Sequence, residues 1–202
     1  MTDVVQALVK RGFAAEAVAT PAEAVERIRK LAAGARTVGF GGSLTLKQIG
    51  AAEALEADGK ELLRHGTPGL SPAEKAAVMK RQQTCDLFLL SANAVTSDGR
   101  IVNIDGNGNR VAASIYGPSQ VVFVVGRNKI VQGGLDAAVE RIKRAACGPN
   151  CRRLGKHTPC ALNDTCADCD SPDRICKVLV VMERRPTSTP MTVLMVDSAL
   201  GM

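Results

Sequence analysis

Apolar residues recur along this chain with two periods that alternate from one end to the other. Apolar positions spaced three and four residues apart predict helices, over residues 3–11, 20–33, 44–56, 71–83, 109 onward and 133–146. Short apolar runs predict strands, over residues 15–19, 36–40, 60–64, 86–91, 92–96, 100–104, 120–125, 177–183 and 191–197. Such alternation is typical of an α/β fold. We therefore predict three layers, with helices on both faces of a mainly parallel sheet.

Local signals mark where several of these elements begin or turn. Thr20 and Ser71 each precede a proline and stand three residues before a glutamate, which is the capping-box pattern of a helix start. The Asp98-Gly99 pair lies between two short apolar runs and predicts a hairpin turn. Residues 120–125 are apolar throughout and largely β-branched, as expected of a central parallel strand.

The 202 residues are predicted to form one domain, residues 1–202, with a cysteine-rich loop at 147–176 as an insertion near the carboxyl terminus. Apolar residues make up 46% of the chain, which excludes disorder as its main state. No apolar run reaches the roughly 18 residues of a membrane span, and the first residues lack the pattern of a signal peptide. We therefore expect a cytoplasmic protein.

Composition and charge narrow the classes of partner. Aromatic residues make up 2% of the chain, with no tryptophan, and single-strand nucleic-acid binders need aromatic stacking platforms. This composition argues against nucleic acid as a partner. The net charge is +6, and residues 141–185 carry ten basic and five acidic side chains. A basic excess of this kind either attracts anions or forms a solvated face.

Three segments that follow predicted strands are rich in glycine and polar residues: the glycine segment at 39–45, the segment 91–110 and the segment 126–129. Because open α/β sheets bind ligands beyond the carboxyl ends of their strands, we predict one crevice for a small anionic ligand there. Its candidate residues are Gly41, Gly42, Ser43, Thr45, Asn93, Thr96, Asp98, Asp105, Gly106, Gly108, Asn109, Arg110, Asn128 and Lys129.

The roles of these residues stay open at this level. The glycine segment is either an anion site at a helix N-terminus or a tight turn with a serine cap. It has neither the P-loop nor the dinucleotide spacing, so no nucleotide cofactor is assigned. Asp98 and Asp105 are candidate acid–base groups or turn formers. No catalytic residue is assigned, and His65 is interpreted as a surface or structural residue.

Four cysteines near the carboxyl terminus have the spacing C-x5-C-x2-C-x6-C: Cys160, Cys166, Cys169 and Cys176. Four thiolates suit zinc or an iron–sulfur cluster, with 4Fe–4S as the expected type. Disulfides and free thiols are the alternatives. Cys147, Cys151 and His157 are possible additional ligands. Shared coordination requires the four sulfurs to lie within about 4 Å of one another.

These segments, taken in order, resemble the LUD family, the lactate utilisation proteins. The glycine segment, the 91–110 segment and the segments Thr158–Cys160, Cys166–Cys169 and Ser171–Cys176 carry the resemblance. It implies the fold shared by ribose phosphate isomerase, glucosamine phosphate deaminase and CoA transferases. Residues 91–109 also resemble methylthioribose phosphate isomerases, in which a catalytic aspartate stands at the position of Asn93. An amide cannot take a proton, so Asn93 favours binding over proton abstraction.

The resemblance implies a component of an iron–sulfur oxidoreductase system that oxidises lactate to pyruvate, with protein partners in that complex. A second reading is a stand-alone isomerase or transferase that acts on a sugar phosphate or a CoA ester. A third is a ligand-sensing or assembly protein without catalytic activity. The sequence leaves the oligomeric state open, a homo-oligomer included.

Overall fold

A computed structural model describes residues 1–202. The strands are β1 (Ala14–Val18), β2 (Thr37–Phe40), β3 (Glu61–Leu63), β4 (Leu87–Leu90), β5 (Ala94–Thr96), β6 (Ile101–Asp105), β7 (Gln120–Gly126), β8 (Ile130–Val131), β9 (Val178–Met182) and β10 (Met191–Val196). The helices are α1 (Thr2–Lys10), α2 (Pro21–Leu31), α3 (Leu44–Gln48), α4 (Ala51–Ala57), α5 (Pro72–Gln82), α6 (Asn109–Ile115), α7 (Leu135–Ile142), α8 (Gly148–Arg153) and α9 (Pro159–Asn163). A 3₁₀ turn covers Arg127–Lys129, and a π-helical turn covers Lys143–Cys147.

The main sheet has six strands in the order β1-β10-β7-β4-β2-β3, and every neighbouring pair is parallel. The central strands β4 and β7 are apolar because helices cover both faces of the sheet. On one face, Val4 and Leu8 of α1 join a core cluster around Phe88 and Phe123. On the other face, α2, α3 and α4 contribute to a second cluster. The predicted three-layer α/β fold is confirmed.

A second sheet of four strands, in the order β8-β5-β6-β9, packs beside the first. The predicted hairpin is present as the antiparallel pair β5–β6, and β9 adds antiparallel to β6. One face of this sheet contributes Val95 and Ile101 to the main core. The other face contributes Ala94 and Val102 to a third cluster, which α7 and the cysteine-rich region complete. The two strands closest to the carboxyl terminus, β9 and β10, therefore belong to different sheets.

Three predicted element boundaries differ from the structure. The helix predicted over 44–56 is two helices, α3 and α4, because Gly50 at their junction has the left-handed φ of 72°. The helix predicted over 133–146 begins as α7 and continues through the π-helical turn into α8. The region 147–176, predicted as a loop, therefore contains the helices α8 and α9. No helix in the chain combines the length and the apolar character that a membrane crossing requires.

Candidate functional site

A cavity of about 490 Å³ lies beyond the carboxyl ends of the main-sheet strands. Because all six strands are parallel, the segments that follow β2, β3, β4 and β7 reach the same edge. Ten of the predicted ligand-binding residues line the cavity: Gly41, Gly42, Ser43, Thr45, Asn93, Asp105, Gly106, Asn109, Arg110 and Lys129. The predicted meeting of the glycine segment with both the Asp98 and the Asp105 turns is therefore confirmed for the Asp105 turn and wrong for the Asp98 turn.

Four predicted residues do not line the cavity, and the structure corrects their placement. The Thr96 hydroxyl donates to Asp98, and it is the main reason that the pKa of Asp98 is lowered. Asp98 also forms salt bridges with Arg11 and Arg100. The Asp98 turn lies away from the cavity. Because β5 and β6 form a hairpin, this turn is at the opposite end of the strand pair from Asn93 and Asp105.

The other two residues, Gly108 and Asn128, hold segments that lie next to the cavity. The backbone of Gly108 has a φ of 84° and shapes the turn before α6. The side-chain oxygen of Asn128 accepts a hydrogen bond from the Leu200 backbone amide at 3.0 Å. Asn128 thus holds the carboxyl-terminal segment, whose residues Gly201 and Met202 form part of the cavity wall.

Arg110 is the hub of a hydrogen-bond network beneath the cavity. Its Nε donates to Asp105 at 3.0 Å, and its Nη1 donates to Asn103 Oδ1 at 2.8 Å and to the Ser91 carbonyl at 3.2 Å. Its Nη2 donates to Asn93 Oδ1 at 3.1 Å and to the Ile104 carbonyl at 2.9 Å. Every N–H direction of the guanidinium has a protein acceptor. Arg110 therefore braces the site, and its donors are not available to a ligand.

The same network shows the structural roles of Asp105 and Asn93. The second carboxylate oxygen of Asp105 accepts from the backbone amides of Asn107 and Gly108 at 3.1 and 2.8 Å, so Asp105 is a turn former paired with Arg110. The oxygen of Asn93 accepts from the Ile104 amide at 2.9 Å as well as from Arg110. Asn93 therefore has its amide nitrogen left to donate. The Nδ2 of Asn109, which also lines the cavity, is buried and has no partner in the protein.

Lys129 lies at the cavity and is 4% exposed. Its ammonium donates to Thr45 Oγ1 and to Ser91 Oγ, both at 2.8 Å, and it forms no salt bridge. Burial, reinforced by the positive charges of Arg141 and Arg110, lowers the pKa of Lys129 from 10.5 to about 7. A buried ammonium beside two guanidiniums, with only hydroxyl partners, creates a strong local preference for an anion.

The glycine segment serves mainly as a turn. Ser43 caps α3, with its hydroxyl accepting from the Leu46 amide at 3.3 Å, and α3 contains five residues. So short a helix adds little dipole charge to an anion. Gly42 has a φ of 67°, and a β-branched residue would be strained there. The serine cap is present, and an anion at this segment stays a prediction.

The cavity also contains residues that the sequence analysis did not place there. His65 follows β3 at the sheet edge, and the rule that pointed to the other loops also applies to it. Arg153, Lys156, Cys147 and Cys176 form the opposite wall. The basic excess in residues 141–185 was the available signal for that wall.

All seven cysteines are free thiols in this structure, and their grouping differs from the predicted one. The two sulfurs of Cys151 and Cys160 lie 3.9 Å apart. Burial raises the pKa of Cys147 to about 12, with further contributions from Cys176, Cys160, Cys166 and Cys151. Cys169 has no part in this group.

The donor set is chemically suited to a soft metal, but the arrangement does not close on an ion. No three His, Cys, Asp or Glu side chains come together as a metal-binding group. The sulfur that lies 3.9 Å from Cys160 belongs to Cys151, which the sequence analysis named only as a possible additional ligand. Zinc or an iron–sulfur cluster at these four cysteines stays a prediction.

The chain matches the family model described as the LUD domain over residues 1–196. Among solved structures, it is similar to the crystal structure of a DUF162 family protein from Deinococcus radiodurans, with a TM-score of 0.54. The two chains are 21% identical, and the alignment covers 96% of this chain and 94% of that one. At this identity the likeness shows the fold. A search among curated proteins found no match.

Proposed function

The chain belongs to the LUD domain family, and on that basis we propose that its cavity binds a small carboxylate, with lactate as the expected ligand. We further propose that it acts as a component of an iron–sulfur oxidoreductase system that oxidises lactate to pyruvate. The family resemblance supports lactate as the ligand. The charge distribution around the cavity supports a carboxylate as the class of ligand.

The observation that carries the proposal is the buried ammonium of Lys129, which has no acidic partner. Arg153 adds basic charge at the cavity, whereas Lys156 already pairs with Asp173 at 3.3 Å. The only acidic side chain that lines the cavity is Asp105, and Arg110 already neutralises it. A bound carboxylate would supply the missing counter-charge, and the free amide donors of Asn93 and Asn109 would complete its hydrogen bonds.

In such a system, this chain's residues bind and orient the hydroxy acid. Oxidation of lactate to pyruvate releases two electrons and two protons, and the electrons need an acceptor. We place that acceptor in a partner protein of the complex. The lining residues accordingly provide charge and hydrogen bonds, and they leave the electron transfer to the partner.

One observation favours a second function, that of an isomerase or transferase that acts on a sugar phosphate or a CoA ester. The pKa of Lys129, at about 7, allows its amine to give and to take a proton near neutral pH. Asn93 argues against the isomerase chemistry, because its amide cannot act as the base. The identity of the tightest ligand distinguishes these functions.

Calorimetric titration of the full chain with lactate, phosphate and CoA, each at about pH 6.5, tests the proposal. We expect lactate to bind at one site per chain, because Lys129 is charged at that pH. Tighter binding of CoA would favour the second function, as would tighter binding of phosphate. Absence of binding by all three would contradict both functions.

The metal prediction is tested separately, on protein purified without oxygen. If Cys160, Cys166, Cys169 and Cys176 hold a metal, elemental analysis should find about one zinc ion or about four irons per chain. An iron–sulfur cluster should also give a broad visible absorption band. Replacement of Cys169 with serine should lower the metal content, whereas replacement of the isolated, buried Cys85 with alanine should not. Metal content that is unaffected by Cys169 would contradict the predicted ligand set.

A further inference from the structure

His65 stands where the edge strand β3 ends, and its ring borders the cavity. Its Nδ1 lies 3.2 Å from the side-chain oxygen of Gln82 and 3.1 Å from the nitrogen of the same amide. The other edge of the ring faces the glycine segment, since a Cβ placed on Gly42 would lie 3.6 Å from Nε2. Nε2 has no hydrogen-bond partner in the protein. Gln82 therefore holds the ring on its Nδ1 side, and Nε2 is the ring nitrogen on the cavity side.

The orientation of the Gln82 amide is determined by its surroundings. Gln82 is fully buried, and its Nε2 donates to the carbonyls of Phe40 and Leu63 at 2.9 and 2.8 Å. These two bonds use both amide hydrogens. A flipped amide would set its oxygen against two carbonyl oxygens, with no donor between them. The oxygen of Gln82 must therefore face His65.

An amide oxygen accepts hydrogen bonds and cannot donate them. Since Oε1 of Gln82 faces Nδ1 of His65, the neutral imidazole carries its proton on Nδ1. Nε2 then has a lone pair directed away from Gln82. Gln82 thus acts as a positioning residue that makes the cavity side of His65 a hydrogen-bond acceptor.

We propose that Nε2 of His65 accepts a hydrogen bond from a hydroxyl group of the ligand, so that the cavity selects 2-hydroxy carboxylates over the same carboxylates without the hydroxyl. This inference rests on the proposed function. Lys129 borders the Thr45 end of the segment between Gly42 and Thr45, and His65 borders its Gly42 end. One end of the ligand meets a cation and the other meets an acceptor. A site built to bind a hydroxyl rejects analogues that lack it, because its acceptor then stays unpaired.

The tautomer is testable without any ligand. Nitrogen-15 NMR of the histidine side chains distinguishes a protonated ring nitrogen from an unprotonated one. The chain has two histidines, and His157, with a side chain that is 95% exposed, serves as the control. The variant H157Q assigns the signals. We expect neutral His65 to carry its proton on Nδ1. A proton on Nε2 would overturn the inference.

The selectivity is tested by titration with lactate and with propionate, which lacks only the hydroxyl. In the wild-type chain, lactate should bind about tenfold more tightly than propionate, as expected for one hydrogen bond to an otherwise unpaired acceptor. The variant H65F keeps a flat ring without nitrogen. It should bind propionate as the wild type does, within about twofold, and should lose the preference for lactate.

The outcomes separate this inference from the proposed function. If both acids bind the wild type equally, or if H65F keeps the preference, the inference is wrong and carboxylate binding stands. If neither acid binds the wild type, the proposed function fails and the inference fails with it. A thermal unfolding scan shows whether H65F is folded. Should it not fold, the tautomer measurement decides.

Discussion

Replacement of Lys129 with methionine is expected to weaken lactate binding about a hundredfold. Methionine has similar length and no charge, so the variant removes the only cation that is buried at the cavity without an acidic partner. A charge-assisted hydrogen bond in a buried site contributes about 3 kcal/mol, and each 1.4 kcal/mol is tenfold in affinity. Calorimetric titration measures the loss.

Lys47 provides the matched control for this variant. It lies on α3, two residues after Thr45, and its side chain is exposed. Replacement of Lys47 with methionine removes the same charge from the chain without changing the cavity. We expect its lactate affinity to stay within about twofold of the wild type, since exposed charges are well screened. Equal affinity of the Lys129 variant and the wild type would contradict the proposed anion site.

The pH dependence of binding follows from the lowered pKa of Lys129. Above its pKa of about 7 the amine is neutral, so lactate affinity should fall as the pH rises through that value. The bound carboxylate favours the charged amine, and binding above pH 7 should therefore take up a proton. Burial lowers the pKa of the neighbouring Arg110 and Arg141, but a guanidinium in a protein stays charged across this range. The methionine variant should lack this pH dependence.

The free energy of unfolding of the ligand-free protein should change with pH in the direction opposite to lactate affinity. The pKa of Lys129 is 10.5 in the unfolded chain and about 7 in the folded one. Between these pH values the unfolded chain binds more protons than the folded chain does. The free energy of unfolding should therefore rise with pH from about 7 to about 10.5. Chemical denaturation of the wild type and of the methionine variant, at several pH values, isolates this contribution.

Replacement of Arg110 with methionine is expected to lower the free energy of unfolding by about 3–5 kcal/mol. The variant leaves the Asp105 carboxylate, which is 8% exposed, without its counter-charge. It also removes donors from the oxygens of Asn93 and Asn103 and from two backbone carbonyls. The oxygens of Asn93 and Asn103 each keep one backbone donor, so most of the cost comes from the uncompensated carboxylate. Urea denaturation with the wild-type m-value measures the loss, and the melting temperature should fall by about 10 °C.

Arg127 is the control for a salt bridge that lies on the surface. It pairs with Asp197 at 3.1 Å, and the two side chains are 60% and 52% exposed. Replacement of Arg127 with methionine should cost less than about 1 kcal/mol, because solvent screens the pair. If the two variants were equally stable, the network under the cavity would not be the brace that its hydrogen bonds indicate.

Much of the fold was predictable because its signals act over a few residues. Thr20 and Ser71 cap α2 and α5 as predicted, each accepting from a backbone amide three residues on. The Asp98-Gly99 turn joins an antiparallel pair, and residues 120–125 lie within a central strand. The parallel sheet then placed the polar segments at one edge. The location of the crevice thus followed from element order alone.

The roles of the side chains in that crevice depended on contacts between distant parts of the chain. Arg110 looked available to a ligand, but its donors bind residues up to 19 positions away. His65 gave no signal in the sequence because its partner, Gln82, lies 17 residues later on α5. The sulfur of Cys160 lies 3.9 Å from that of Cys151, because α8 and α9 pack together.

The sequence by itself determined the elements, the layers and the edge that holds the cavity, since helix caps, turns and apolar periods are local properties. Only the tertiary structure decided which groups remain free to bind a ligand and which form hydrogen bonds within the protein. A hydrogen bond is made with whatever acceptor the fold brings within about 3 Å. For Arg110, His65 and Lys129, that acceptor is on another element, and residue spacing along the chain does not encode it.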